Sequence, residues 1–329
     1  MTLPSSMRAM RIHKHGGAEV MTEDVIPLPE VGAHDVLVHV AHAGVNFIDI
    51  YKRAGIYTVP FPSTIGEEGA GIVAAIGADV TTVRVGDRVA WAGVLGAYAE
   101  YAAVPATRLV TVPDSVGLRE AAAVMLQGMT AHYLATTIYP LKHGDRALVH
   151  AAAGGVGLLL VQIAKNRGAY VIGTAGSPAK VALALGAGAD EVIDYSQQDF
   201  AAEVMRITDG KKVHVVYDSV GKSTFLAGLD LIVPRGMMVL FGQSSGVVPP
   251  FDPLLLSQKG SLFMTRPTMG HYTATADELR WRAHDLFEWI GNGSLKVRID
   301  SEYPLARVGD AQRALEGRQT TGKVVIGIS

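Results

Sequence analysis

His150-Ala151-Ala152-Ala153-Gly154-Gly155-Val156-Gly157 is the stretch on which the reading of this 329-residue chain turns. The apolar run Ala147-Leu148-Val149 leads into it, and Gly157 to Arg167 carries helical spacing after it. The glycines therefore fall at a strand-to-helix turn. The dinucleotide fingerprint is G-x-G-x-x-G; here Ala152 takes the place of the first glycine, and Gly154 and Gly157 keep the other two. Gly154 lets a pyrophosphate approach the backbone, and Gly157 lets helix and strand pack closely. The helix N-terminus adds unpaired N–H groups and positive potential. A tight turn with no ligand would also use glycine. What favours the nucleotide is the alternation that follows.

Downstream, Tyr170 to Gly173 reads as a second strand and Lys180 to Leu185 as a helix. Val192 to Asp194 is a third strand, Phe200 to Ile207 a helix, and Val213 to Tyr217 a fourth strand. Met237 to Phe241 and Ser261 to Thr265 supply a fifth and a sixth. Strands separated regularly by helices predict an α/β fold with a parallel, doubly wound sheet. Upstream the texture differs. Ala9 to His13, Val36 to Val40 and Gly71 to Gly77 are short strand patterns, and Gly86 to Val89 is a turn entering another. Such spacing with Gly and Pro punctuation predicts a compact, barrel-like β domain. Residues 1–6 are expected to form a loose tail, and Leu118 to Thr137 an Ala-rich helix interrupted near Gly128. Thr275 to Ile290 and Val297 to Ile328 return to a helix with strands, expected to rejoin the first domain. Trp281, Phe287 and Trp289 there read as core packing.

Composition sets outer limits. With 49% hydrophobic and 18% charged residues, the chain is globular and long enough for two domains. A net charge of -2 provides no general attraction to nucleic acid or membrane. Zero cysteines exclude disulfides and thiolate metal ligands, and the 11 histidines are scattered. Met1 to Met10 has no signal-like apolar run, and no apolar segment is long enough to span a bilayer, so a soluble, cytoplasmic protein is expected.

The second strand discriminates between the two nicotinamide cofactors. NAD sites end this strand with Asp or Glu on the ribose hydroxyls. Here Gly173-Thr174-Ala175-Gly176-Ser177 has no acid, and Lys180 follows. Small residues, hydroxyls and a cation suit a 2′-phosphate, hence NADPH. Lys180 as an ordinary solvated residue is the competing reading.

The octapeptide His150 to Gly157 also closely resembles the signature of the zeta-crystallin-like NADPH:quinone oxidoreductases. These are zinc-free members of the medium-chain dehydrogenase/reductase superfamily. Similar segments run along nearly the whole chain: His13-Lys-His-Gly-Gly17, Asn46-Phe-Ile-Asp49 with Tyr51, Gly66 to Gly71, Leu95-Gly-Ala-Tyr98, Val215 to Gly221, and Lys259 to Pro267. The bacterial quinone reductases are the most similar group. The resemblance implies a Rossmann domain inserted into a GroES-like β-barrel catalytic domain, with residues 1–130 and 271–329 forming the barrel and 131–270 the NADPH domain. It also implies a homodimer joined through Rossmann sheet edges. The positions matching the Cys and His zinc ligands of alcohol dehydrogenases hold Asn46 and Glu67, and the four-Cys structural loop is missing, so no metal is expected. Related enzymes often carry Lys where this chain has Gln127.

Carried over by position, Asn46, Phe47, Tyr51, Gln127 and Thr130 would surround the nicotinamide half. Gly154, Gly155, Val156, Gly157, Thr174, Ser177, Lys180 and Tyr195 would hold the pyrophosphate, 2′-phosphate and adenosine. Ser219, Phe241, Gly242, Ser244, Phe263, Thr265 and Arg318 would close the far side. Without the resemblance, Tyr195 reads equally well as a loop tyrosine and Arg318 as a surface ion-pair residue. Tyr51 and Asn46 are the expected donors to a carbonyl oxygen that gains charge. Asp49, Glu67 and Glu68 read as packing or hydrogen-bonding residues. The expected activity is metal-free, NADPH-dependent reduction of a quinone. Two alternatives remain open: an enoyl or alkenal reductase acting on a conjugated C=C bond, and a protein that binds NADPH or AU-rich RNA without turnover. Charge and motifs speak against RNA.

Overall fold

A computed structural model of the chain describes residues 3–328. From the N-terminus come strands β1 (Ser6–Ile12), β2 (Met21–Pro27) and β3 (Asp35–Val45), then helix α1 (Phe47–Arg53). Strands β4 (Ser63–Thr64), β5 (Glu68–Ile76), β6 (Arg88–Ala92), β7 (Tyr101–Pro105) and β8 (Leu109–Thr111) precede helix α2 (Leu118–Tyr133). A strict alternation follows: β9 (Arg146–Val149), α3 (Gly155–Asn166), β10 (Tyr170–Ala175), α4 (Pro178–Gly186), β11 (Glu191–Asp194), α5 (Phe200–Ile207), β12 (Val213–Asp218), α6 (Phe225–Asp230), β13 (Ile232–Leu240), α7 (Leu254–Gln258) and β14 (Phe263–Thr265). The chain ends with α8 (Met269–Tyr272), α9 (Ala276–Gly291), β15 (Ile299–Pro304), α10 (Val308–Glu316) and β16 (Lys323–Gly327).

Two compact units result. The first comprises Met1–Met129, Thr273–Gly293 and Val297–Ser329; the second comprises Thr130–Tyr272 and Ser294–Lys296. The three-residue return to the second unit departs from the expectation that everything after 270 belongs to the barrel. Hydrogen bonds hold it there: Gln162 Nε2 donates to Lys296 O, Lys296 N to Gln162 Oε1, and Asn166 Nδ2 to Ser294 O.

The second unit has a six-stranded sheet in the order β11-β10-β9-β12-β13-β14, parallel throughout. Its central strands are buried on both faces, as covered parallel strands must be, which is why they read as unbroken apolar runs. Strand order reverses at β9, and in such sheets ligands bind beyond the carboxyl ends at the reversal. Leu148, Ile172, Val216, Phe225 and Met238 lie at the heart of its core.

The first unit pairs a seven-stranded sheet (β15-β16-β3-β5-β6-β8, with β7 on β3) with a smaller sheet, β2-β1-β4. Here alternation survives: β7 buries Ala102 and Val104 between less buried neighbours. Trp91, Val38, Val45 and Ile326 are in the core. Each such fully buried side chain contributes about 1.5–3 kcal/mol.

Several sequence expectations need correction. Ser6 already belongs to β1, and residues 1–2 of the expected tail lie outside the described residues. Helix α2 runs unbroken through Gly128. That glycine serves packing, since a β-carbon there would stand 2.6 Å from Val124 Cγ2 and 3.1 Å from Leu286 Cδ1 of α9. On α9 itself Phe287 is buried but Trp281 is 47% exposed, so Trp281 is not core. Among the described residues, no helix is long and apolar enough to cross a membrane.

Candidate active site

In the second unit, β9 ends at Val149 and the chain turns through Ala151, held at φ +53°, into α3. Gly154 is the N-cap of α3, and no side chain caps the helix there. By contrast Ser177 caps α4, Asp199 caps α5 and Thr275 caps α9. The first N–H groups of α3 are thus left for a ligand rather than for a protein oxygen. Gly157 is required by the turn, because a β-carbon would collide with Ala151 O and stand 2.8 Å from Ala152 Cα. Gly173 lies under the same turn, where a β-carbon would stand 2.8 Å from Ala152 Cβ.

Beside this turn, the end of β10 gathers three of the expected residues. The Ser177 hydroxyl accepts Lys180 N at 3.4 Å, and Tyr195 lies over Gly176, where a β-carbon would be 2.5 Å from its phenol oxygen. Asp194 pairs in register with Ala175, but its Oδ1 accepts Ser196 N and Oγ, which turns the carboxylate to its own loop. Thr174 does not join the group. It is buried, and its Oγ1 lies 3.0 Å from His150 Nδ1. Thr174, expected among the cofactor-binding residues, thus has its hydroxyl beside His150 and not beside Ser177 and Lys180. His150, which sequence reasoning passed over, is buried beneath the glycine turn; desolvation lowers its pKa, and its Nε2 has no protein partner. Its signal was its place as first residue of the octapeptide.

Asp218, at the end of β12, organises the next loop. Its carboxylate accepts Val220 N, Gly221 N and Thr224 Oγ1. Ser219 O accepts Ser244 N, and a β-carbon on Gly242 would stand 2.5 Å from Ser219 O. Ser219, Gly242 and Ser244 thus meet in one place, with Phe241 at the mouth of the loop after β13. Thr265 lies on the edge strand β14, beside the 58% exposed Phe263. Arg318 is exposed in a left-handed turn after α10, in the first unit.

The first unit holds a buried polar cluster at the start of α1. Asn46 is 2% exposed; its Nδ2 donates to Glu68 Oε2 at 2.8 Å and its Oδ1 accepts Lys323 Nζ at 2.7 Å. Lys323 also donates to Glu68 Oε2, while Glu68 Oε1 accepts Leu126 N at 2.7 Å. Asp49 closes a capping box by accepting Asn46 N, and it also takes Tyr98 Oη and Glu67 N. Burial drives the Asp49 pKa up to about 6 and pulls that of Lys323 down. Both amide ends of Asn46 are spent inside the protein, so the expectation that it donates to substrate is corrected. Tyr51 and Phe47 remain part-exposed on α1; their ring centroids are 6.1 Å apart, and Tyr57 stands edge-on to Tyr51 at 6.1 Å. Sequence reading missed Tyr57. Gln127 has a buried Oε1 without a protein partner, a free acceptor for an amide or hydroxyl donor. Thr130, nearby on α2, is buried.

Comparison with known proteins agrees with this geometry. Residues 155–287 match the family described as zinc-binding dehydrogenase, and residues 32–114 the alcohol dehydrogenase GroES-like domain. A quinone oxidoreductase of Pseudomonas aeruginosa is 46% identical over 95% of this chain and 97% of its own. The chain belongs to the quinone oxidoreductase family. Within this family, the solved Escherichia coli quinone oxidoreductase complexed with NADPH has a TM-score of 0.95 and 41% identity, covering 97% of this chain and 99% of that one. A 2-haloacrylate reductase of a Burkholderia species is 39% identical over 96% of this chain and 97% of its own. The fold is that of the family, a GroES-like domain with a Rossmann-type parallel sheet.

The family description mentions zinc, but the residues here do not fit that metal. Glu67 is held in an ion pair with Lys52, and the oxygen of Asn46 is occupied by Lys323. Among the described residues no three His, Cys, Asp or Glu side chains form a ligand set. NADPH is a different matter: an uncapped α3 N-terminus over a cradle that β-carbons would fill suits a pyrophosphate.

Proposed function

We infer that this chain is an NADPH-dependent oxidoreductase that reduces quinones without a metal. The observation that carries the inference is the uncapped glycine turn at Gly154, with Ser177, Lys180 and Tyr195 beside it and no Asp or Glu at the end of β10. NADPH, when bound, supplies the hydride. The chain's own part is to bind, orient and donate. The first N–H groups of α3 hold the pyrophosphate, Ser177 and Lys180 hold the 2′-phosphate, and the phenol of Tyr195 flanks the adenosine. Tyr51 donates a hydrogen bond to the carbonyl oxygen on which charge develops. Phe47 and Tyr57, each with its ring centroid 6.1 Å from that of Tyr51, present aromatic surface to a flat acceptor.

The 2-haloacrylate reductase relative favours a second reading, reduction of a conjugated C=C bond, in which the same phenol steadies an enolate oxygen. The working form we assign is a cytoplasmic homodimer. β14 is an edge strand carrying an exposed Phe263, and such an edge is suited to pairing with its symmetry mate.

The deciding experiment follows NADPH oxidation across quinones and enones after chelation. Turnover with quinones, undiminished by the chelator, is expected. Turnover with enones alone would move the assignment to the second reading. Loss on chelation with recovery on adding zinc, or no turnover at all, would overturn the proposal. Sedimentation analysis of Phe263→Asp, expected to be monomeric, tests the dimer.

A further inference from the structure

Lys323 is buried to 1% exposure, although lysines are almost never fully buried unless paired. It opens β16, whose Val324 pairs with Val45 at the end of β3, so its ammonium lies beside the first residue of the next segment, Asn46. The contacts form a closed triangle. Lys323 Nζ donates to Asn46 Oδ1 and to Glu68 Oε2, and Asn46 Nδ2 returns to that same Glu68 oxygen. A β-carbon on Gly44 would collide with Glu68 Oε2, so a glycine lets the carboxylate lie against β3. A fully buried carboxylate needs a counter-charge, and here the cation is an ammonium covalently tied to the last strand.

Helix α1 explains why this matters to the reaction. Its seven residues are too few to hold a helix by themselves. Its far end is fixed by the buried Arg53, which donates to Gln312 Oε1 at 2.6 Å and Glu316 Oε1 at 2.7 Å on α10. Its near end is fixed through the N-cap, Asn46, whose amide orientation is set by Lys323 on one side and Glu68 on the other. Between these anchors lie Phe47 and Tyr51.

We propose that Lys323 is a positioning residue for the reduction: its ammonium, locked onto Asn46 Oδ1 and Glu68 Oε2, fixes where α1 begins and therefore where the phenol of Tyr51 stands. The proposal rests on Tyr51 being the donor to the substrate oxygen. It acts through Asn46 and does not touch the reacting atoms.

The test uses Lys323→Met, which keeps an unbranched stem one atom shorter and removes charge, and the double variant Lys323→Met with Glu68→Gln, which removes both charges and spares the fold an unpaired carboxylate. NADPH binding to each is titrated by cofactor fluorescence, and kcat and KM are measured well below the unfolding temperature. A displacement of about 1 Å in a reacting group costs on the order of a hundred-fold. The expected result is a kcat lowered at least about ten-fold in whichever variant is folded, with the Kd for NADPH within about two-fold of the unmutated protein. A merely structural lysine would lower the unfolding temperature and leave kcat alone. Unchanged kcat and quinone KM in either folded variant would overturn the inference while leaving the proposed function standing. Failure of the unmutated protein to reduce any quinone or enone would overturn both.

Discussion

Tyr98 donates its hydroxyl hydrogen to Asp49 Oδ2 over 2.7 Å, with both side chains at 0% exposure. Burial dominates the Asp49 carboxyl, raising its pKa to about 6 against bonds from Tyr98 and Asn46 and the attraction of Lys323, which lower it. The folded protein therefore holds this proton more tightly than the unfolded chain, whose value is 3.8. The sign follows: Asp49 favours folding most below about pH 4, and that contribution is lost as pH rises to about 6. Two pKa units correspond to about 3 kcal/mol. Urea unfolding of the unmutated protein and Asp49→Asn between these limits should show the difference in stability shrinking as pH rises. A difference that does not depend on pH would mean that Asp49 titrates as it would in water.

Tyr51 and Asn46 should separate in their effect on stability. Tyr51→Phe removes the proposed donor without disturbing the cluster at the start of α1. An oxyanion donor is worth about 10²–10³ in kcat, and a part-exposed phenol belongs at or below the lower end. A fall of about ten- to a hundred-fold with an unchanged unfolding temperature is expected. Asn46→Ala should act on stability first, because Lys323 and Glu68 each lose a buried partner at a cost of about 1–3 kcal/mol. Equal thermal stability in Asn46→Ala and the unmutated protein would contradict the cluster.

What the amino-acid sequence revealed, and what it hid, follows from the range of the interactions. The octapeptide at His150 was legible because its chemistry is local, a strand, a glycine turn and a helix in succession. The strands of the parallel sheet were legible because burial on both faces leaves an apolar run. Thr174 misled because β10 is buried along nearly its whole length, so no polar alternation marks which face its hydroxyl takes. Gly128 misled because helix breaking and close helix packing both call for glycine. The Lys323 triangle left no local trace: the lysine lies 277 residues from Asn46 and 255 from Glu68. The role of Asn46 could not be read until that distant strand was in place.

Gly154 and Gly157 differ in what they are for. At Gly154, φ is -79° and ψ 172°, open to any residue, and a β-carbon would meet only Ala151 O at 3.2 Å. Gly154→Ala should fold normally. Its methyl group would occupy the surface on which a pyrophosphate must rest, so NADPH binding should weaken by about 1.4 kcal/mol or more, a factor of about ten. Gly157→Ala would drive a methyl into the backbone of Ala151 and Ala152 and should lower the unfolding temperature as well. Isothermal titration beside thermal melts checks both; undiminished NADPH binding by Gly154→Ala would remove the turn from the cofactor site.

The preference for NADPH over NADH is the sharpest consequence of the β10 end. A carboxylate on the ribose hydroxyls would repel a 2′-phosphate; β10 ends without one, and Asp194 Oδ1 on the neighbouring strand accepts from Ser196. Ser177 can donate its hydroxyl hydrogen while accepting Lys180 N, and the Lys180 ammonium supplies charge. One charge-assisted hydrogen bond contributes about 1.5–3 kcal/mol, which is roughly ten- to a hundred-fold in affinity. Salt screening at a part-exposed site favours the lower figure. Lys180→Ala should raise the KM for NADPH by about that factor and leave the KM for NADH nearly unchanged. Thr174→Val should leave the preference intact, because its buried hydroxyl is engaged by His150. Steady-state kinetics with both cofactors decides the matter: equal kcat/KM for NADPH and NADH in the unmutated protein would show that the absent acid does not select the phosphate.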